Sequence, residues 1–134
     1  MVRRTLGILA GVIASVGGLA LASPAAASDP GGGGSWDHTW VSDNGGATLH
    51  VMEHGDLVQL CDTKADGMSV HVDVDVAGGG GGYYLQNSAG NGTCVAVSAT
   101  TAAKYDLPEG KTIDIWLSTS DLYDQVGGSY LNDH

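Results

Sequence analysis

The run from Cys61 to Val76, CDTKADGMSVHVDVDV, holds the densest set of side chains that could bind a metal ion or transfer a proton. Within it, His71, Asp73 and Asp75 occupy alternating positions, and a β-strand places alternate side chains on one face. An imidazole and two carboxylates are ligands that zinc accepts, and a residue on a neighbouring strand could complete the set. These three residues are therefore the candidates for a metal site, or for the acid and base of a small hydrolase.

The same alternation also fits a strand with one solvated face. Valine occupies positions 70, 72, 74 and 76, so one side of this strand is apolar and the other is polar. Acidic side chains on the solvated side discourage edge-to-edge pairing with another sheet. Three potential ligands without a fixed fourth make an incomplete metal site. We therefore expect no metal ion or other cofactor, and we keep a metal-dependent enzyme or hydrolase that uses His71, Asp73 and Asp75 as the alternative.

The segment DTKADG, residues 62–67, partly matches a calcium-binding loop. An EF-hand loop needs an oxygen ligand at its third position and a glutamate at its twelfth, where this chain has Lys64 and Asp73. The lysine would place a positive charge where the cation should sit. Aspartate and glycine are also common turn residues. The segment therefore predicts a β-hairpin turn between the strands Leu57–Cys61 and Ser69–Val76.

Sequence patterns for catalysis are weak along the whole chain. No serine lies in a G-x-S-x-G motif, and the two glycine runs lack the lysine and the strand–helix setting of a phosphate-binding loop. Asp73 and Asp75 come from a single strand, whereas a glycosidase uses two carboxylates that flank a sugar cleft. We therefore expect that the protein is not an enzyme.

Aromatic side chains give the main binding hypothesis. Trp36, Tyr83, Tyr84 and Trp116 could form a stacking platform for a glycan or for a partner protein. Trp36 and Trp40 are four positions apart and are expected to share one strand face. The opposing interpretation is that a chain without phenylalanine needs its tryptophans in the core, and we assign Trp40 there.

The first 27 residues have the three-part order of a secretory signal peptide. Arg3 and Arg4 precede an apolar stretch, and Ala25–Ala27 provides an A-x-A cleavage site. Residues 28–35, SDPGGGGS, predict a flexible linker, and residues 36–134 predict one domain. The expected mature protein is secreted, extracellular and free of the membrane after cleavage.

The net charge limits the possible partners of the mature chain. Residues 28–134 contain three lysines and fifteen acids, which gives 3 − 15 = −12 with neutral histidines. With only three lysines, the chain has no basic surface for nucleic acid.

The two cysteines predict one disulfide. In an exported protein, Cys61 and Cys94 are expected to pair, which would stabilise the fold by roughly 3–4 kcal/mol on the chain-entropy model.

Short strands separated by Gly-, Asn- and Asp-rich turns predict an all-β fold, a small antiparallel β-sandwich of Ig-like or Greek-key type. A final edge strand is expected through Leu122 and Val126, and 99–104 is either an irregular crossover or a helical turn. The other predicted strands are Trp36–Ser42, Ala47–Glu53, Leu57–Cys61, Ser69–Val76, Tyr83–Gln86, Cys94–Ser98 and Lys111–Ser118.

The runs LVQLCDTKADGMSVHVDV, NGTC and LPEGKTIDIWL resemble small secreted proteins of actinomycetes that carry a V-C-D-T-x-A-D-G motif and a later cysteine. The resemblance spans about 49–117. It implies a compact, secreted β-sandwich-like domain and brings no catalytic residues. Relatives often have a late cysteine in the region where Trp116 and Leu117 stand here, so a second disulfide is absent.

Taken together, the sequence predicts a secreted, non-enzymatic β-domain. We expect it to act outside the cell, either by binding a protein or glycan or as a component associated with the cell envelope.

Overall fold

The computed structural model describes residues 35–120 and 124–134. The predicted signal peptide, nearly all of the predicted linker and Leu122 lie outside these residues. Across the described ranges, no helix has the length and apolar character needed to cross a membrane.

Eight β-strands and one short 3-10 helix make up the fold, which confirms the all-β prediction. Strands such as β2 and β4 alternate more buried and less buried residues, because apolar side chains at every second position share one dry face. The central strand β3 is the exception and is buried from Val58 to Asp62. Residues 99–104, predicted as an irregular crossover or a helical turn, are a non-helical turn that ends in the 3-10 helix Ala103–Tyr105. The strands are β1 His38–Val41, β2 Ala47–Met52, β3 Leu57–Asp62, β4 Val70–Val76, β5 Gly82–Asn87, β6 Cys94–Val97, β7 Lys111–Thr119 and β8 Val126–Asn132.

The strands form two antiparallel sheets of four. We call the first sheet I, with the order β1-β2-β3-β6, and the second sheet II, with the order β5-β4-β7-β8. Neighbouring strands β3 and β6 in sheet I connect to neighbouring strands β4 and β7 in sheet II, as in Greek-key sandwiches. The predicted antiparallel β-sandwich is confirmed.

The prediction of a hairpin at residues 62–67 is wrong. Both edges of β3 pair within sheet I, with β2 and β6, and both edges of β4 pair within sheet II, with β5 and β7. The segment therefore carries the chain from one sheet to the other. Asp62 and Asp66 support this crossing, because their carboxylates accept hydrogen bonds from the backbone N–H groups of Lys64 and Met68.

The core lies between the sheets and is built from aliphatic side chains. Burial of these groups away from water is the main favourable contribution to folding. Fully buried side chains come from both sheets: Leu49, Val51, Val58, Leu60, Val72, Val74, Ile113, Ile115 and Leu117.

One end of the core contains a buried carboxylate. Asp56 is only 3% exposed and has a positive φ of 51°. Its oxygens accept hydrogen bonds from the Leu107 backbone N–H and from Asn132 Nδ2. The Asp56 side chain thereby ties the β2–β3 turn to the segment before β7 and to the end of β8.

The predicted disulfide is confirmed. Cys61 on β3 and Cys94 on β6 are directly opposed in the antiparallel register and are bonded to each other. The bond therefore joins two strands of sheet I and does not join the two sheets.

Candidate glycan-binding face

The outer face of sheet II carries two exposed rings on a single row of the sheet. Asp73 on β4 pairs with Tyr84 on β5 and with Trp116 on β7, so the carboxylate lies between the two rings. Neighbouring strands lie about 4.8 Å apart, which places the Cα atoms of the two aromatic residues about 10 Å from each other. We call this surface the Tyr84–Trp116 face.

Both rings are available to a ligand. Tyr84 is 50% exposed and Trp116 is 48% exposed. The Trp116 ring lies over Gly127 on β8, where an added Cβ would come within 2.7 Å of Cζ3. The ring therefore rests on the backbone of β8, and its position depends on the absence of a side chain at residue 127.

Three carboxylates share this face with the rings: Asp73 lies between them, and Asp75 and Asp114 lie to one side. Asp75 on β4 is directly opposite Asp114 on β7, and like charges in this arrangement destabilise a sheet. Within residues 35–120 and 124–134, the side chains of Asp73, Asp75 and Asp114 form no hydrogen bond or ion pair. Their oxygens are therefore free to accept hydrogen bonds from a ligand.

His71 and Ser118 form a hydrogen-bonded pair on the same face. Their strands place them opposite each other, and His71 Nε2 lies 2.6 Å from Ser118 Oγ. The His71 ring centroid is 5.8 Å from that of Tyr84. Ser118 is only 1% exposed. Its hydroxyl is therefore too buried to act as a nucleophile on a substrate carbonyl. The pair orients the His71 ring beside Tyr84.

The structure places His71, Asp73 and Asp75 on one face, as the alternation predicts. Among the residues that the structure describes, however, their potential ligand atoms do not converge into a group within 4.8 Å. His71 instead uses Nε2 in its bond to Ser118. The three side chains line a surface and do not surround a common point.

Tyr83 does not belong to the platform predicted from sequence. Its ring packs against the core and meets Tyr105 edge-on, with ring centroids 4.9 Å apart. The hydroxyl is buried without a hydrogen-bond partner in the described structure, and burial raises the pKa of the Tyr83 phenol. Leu85, two positions further along β5, could have shown from the sequence that Tyr83 faces the core. Leu85 is buried, and residues two apart on a strand share a face.

Trp36 and Trp40 lie on opposite faces of sheet I, so the prediction that they share one face is wrong. Trp36 precedes β1, where regular alternation has not begun, and its ring stacks on His50 at a centroid distance of 5.0 Å. Trp40 packs against the core and over Gly128, as expected for a core tryptophan. The structure thus brings together Tyr84 and Trp116 from the predicted set.

Two contributors to this face are missing from the sequence-based prediction. Asp114 and Gly127 reach the face only through the pairing of β7 with β4 and β8. The alternation of Asp114 and Trp116 between Ile113, Ile115 and Leu117 could have placed the acid beside the tryptophan.

Comparison of the chain with known protein families, with curated proteins and with solved structures finds no match. The chemistry of the face is therefore the guide to function. Two exposed rings can stack on the apolar C–H face of sugar rings, while the carboxylates between them can accept hydrogen bonds from hydroxyl or amino groups.

Proposed function

We propose that the protein is an exported, non-catalytic binding domain that recognises an extracellular glycan through the Tyr84–Trp116 face. The observation that carries this proposal is the row Tyr84–Asp73–Trp116, in which two half-exposed rings flank a carboxylate that has no partner among the described residues. A sheet surface with spaced aromatic rings suits an extended chain of sugars, because successive sugar rings can each meet an aromatic side chain.

Charge narrows the class of glycan. The face presents Asp73, Asp75 and Asp114, and the chain as a whole has a formal net charge of −10. Such a surface repels polymers that carry phosphate or carboxylate groups. Neutral glycans and glycans with protonated amino groups are therefore the proposed ligands, and amino sugars gain charge-assisted hydrogen bonds to the carboxylates.

Two features support action outside the cell. Residues 1–27 have the order of a signal peptide, and a disulfide in a small domain is typical of oxidising compartments. The proposed domain is non-catalytic for two reasons. The Ser118 hydroxyl is buried, and His71, Asp73 and Asp75 are spread along one strand instead of converging on a common point.

Affinity electrophoresis of the secreted protein tests the proposal. The gels contain a neutral β-glucan, chitosan as an amine-bearing polymer, or a phosphate-bearing polymer. We expect retardation by the neutral or the amine-bearing glycan and none by the phosphate polymer. Trp116→Ala and Tyr84→Ala should each weaken retardation at least several-fold, since aromatic anchors dominate the energetics of binding surfaces.

Trp36→Ala is the matched control, because Trp36 stacks on His50 of sheet I. It should leave retardation unchanged. Equal losses for Trp36→Ala and Trp116→Ala, or no retardation by either glycan, would contradict the proposal.

A further inference from the structure

A second group of polar side chains lies at the opposite end of β8 from Gly127, where the edges of the two sheets meet. Glu53 follows β2 in sheet I, while Asp133 and His134 follow β8 in sheet II. The edge strands β1 and β8 contact each other along this side of the sandwich. Residues far apart in the chain are thus brought together by the closure of the two sheets.

Three metal-ligating atoms converge in this group. One carboxylate oxygen each from Glu53 and Asp133 and one ring nitrogen of His134 all lie within 4.8 Å of one another. His134 Nδ1 is 2.6 Å from Asp133 Oδ1 and 3.6 Å from Glu53 Oε2. Small adjustments of the two exposed side chains, Asp133 and His134, would bring all three atoms to a common cation.

The Glu53 carboxylate is held in place from its other side. Its side chain is only 11% exposed, and Oε1 lies 2.5 Å from His38 Nε2. The His38 ring in turn lies 5.5 Å from the Trp40 ring and 4.8 Å from the Tyr130 ring, measured between centroids. His38 therefore fixes one oxygen of Glu53 and leaves Oε2 directed toward His134. A hydrogen-bonded partner of this kind orients a carboxylate ligand.

Among the residues that the structure describes, no lysine, including Lys111 opposite Asn132, forms an ion pair with this cluster. Throughout the described ranges, each ion pair uses a histidine as its cationic partner. Lys64 reaches the Asn44 carbonyl, and Lys104 lies over the Tyr105 ring. A mostly buried carboxylate beside a second carboxylate and an imidazole offers the oxygen and nitrogen ligands that zinc accepts.

We propose that Glu53, Asp133 and His134 bind a divalent transition-metal ion, with zinc as the best match, and that His38 positions Glu53 for this role. Two carboxylates and an imidazole suit zinc, whereas the imidazole disfavours calcium and magnesium, which prefer oxygen ligands. Three protein ligands leave the remaining coordination position to water. The bound ion would join the turn after β2 to the chain after β8, and so would clip one sheet to the other.

Isothermal titration of the secreted protein with zinc chloride tests this site, using protein that carries no polyhistidine tag. We expect binding of one zinc ion. His134→Ala removes an exposed ligand that the fold does not need, and Glu53→Gln removes the central carboxylate. Each should weaken zinc binding at least as much as the roughly 10- to 100-fold that loss of a supporting residue costs in metal sites.

His54→Ala provides the matched control, since His54 is exposed and adjacent to Glu53 but lies outside the converging group. Its affinity for zinc should equal that of the wild type. Zinc should also raise the melting temperature of the wild type and of His54→Ala, but not that of His134→Ala, because binding to the folded state alone stabilises it. Unchanged zinc affinity in His134→Ala, or no binding by the wild type, would overturn the proposal.

Discussion

The indole ring of Trp116 lies against Gly127 on the neighbouring strand β8, so a residue without a side chain sets the position of an exposed ring. A methyl group at residue 127 would come within 2.7 Å of Cζ3 and 3.0 Å of Cε3. Because Trp116 is half exposed, its ring can move outward to relieve this contact.

Gly127→Ala should therefore weaken glycan binding several-fold while changing the free energy of unfolding by less than about 1 kcal/mol. Affinity electrophoresis and urea denaturation measure the two effects. Gly128→Ala is the matched control, because its Cβ would contact the Trp40 indole in the core. That variant should lose about 1–3 kcal/mol of stability through overpacking. Glycan binding by Gly127→Ala that equals the wild type would show that Trp116 needs no support from β8.

The pair Asp75–Asp114 predicts opposite effects on stability and on binding. Removing one of two opposed negative charges relieves their repulsion, so Asp114→Asn should stabilise the fold by about 0.2–1 kcal/mol at low salt. The same change removes a charged acceptor from the Tyr84–Trp116 face and should weaken binding of an amine-bearing glycan. Urea denaturation at low and high salt measures the first effect, because salt screens the repulsion. A less stable Asp114→Asn protein would show that the acid pair is not repulsive in the folded state.

Asp56 predicts a specific pH dependence of stability. Burial raises the pKa of the Asp56 carboxyl above its ordinary value of 3.8, although hydrogen bonds from the Leu107 N–H and the Asn132 amide oppose this shift. The folded state then holds this proton more tightly than the unfolded state does. The contribution of Asp56 to stability therefore falls as pH rises from 3.8 to its folded pKa and is constant at higher pH.

Asp56→Asn removes the titrating group while keeping an acceptor for the Leu107 N–H and a residue that tolerates positive φ. The unfolding free energy of the wild type relative to this variant should be constant at neutral pH. It should increase in favour of the wild type as the pH falls through the folded pKa of Asp56. Urea denaturation of both proteins across the acidic range measures this difference, and a difference that moves toward the variant would contradict the assignment.

The sequence predicts strands and their buried faces well where one strong pattern dominates. The valines of β4 place His71, Asp73 and Asp75 outward without any knowledge of the neighbouring strands. The pattern is weaker where adjacent residues are chemically alike. Tyr83 and Tyr84 have similar side chains, and only the buried Leu85 shows which tyrosine faces the core.

Pairing between distant strands is harder to predict from the sequence. Two successive strands pair as a hairpin only if each has a free edge; if other strands already occupy those edges, the connection crosses from one sheet to the other. The residues 62–67 are compatible with either connection. The contact of Glu53 with His134 depends on the closure of the two sheets, which no local pattern encodes. Asp114 likewise reaches the candidate face only through the register of β7 with β4.

The position of the disulfide has a mechanical consequence. The bond between Cys61 and Cys94 closes a covalent ring that contains β4 and β5, and with them Asp73 and Tyr84. A pulling force along the chain passes through the sulfur atoms, so the segment between the two cysteines cannot be drawn out. The 33-residue separation corresponds to roughly 110 Å of fully extended chain, and the disulfide prevents a pulling force from extending this segment. Half of the candidate binding face is thus shielded from tension that would extend the rest of the domain.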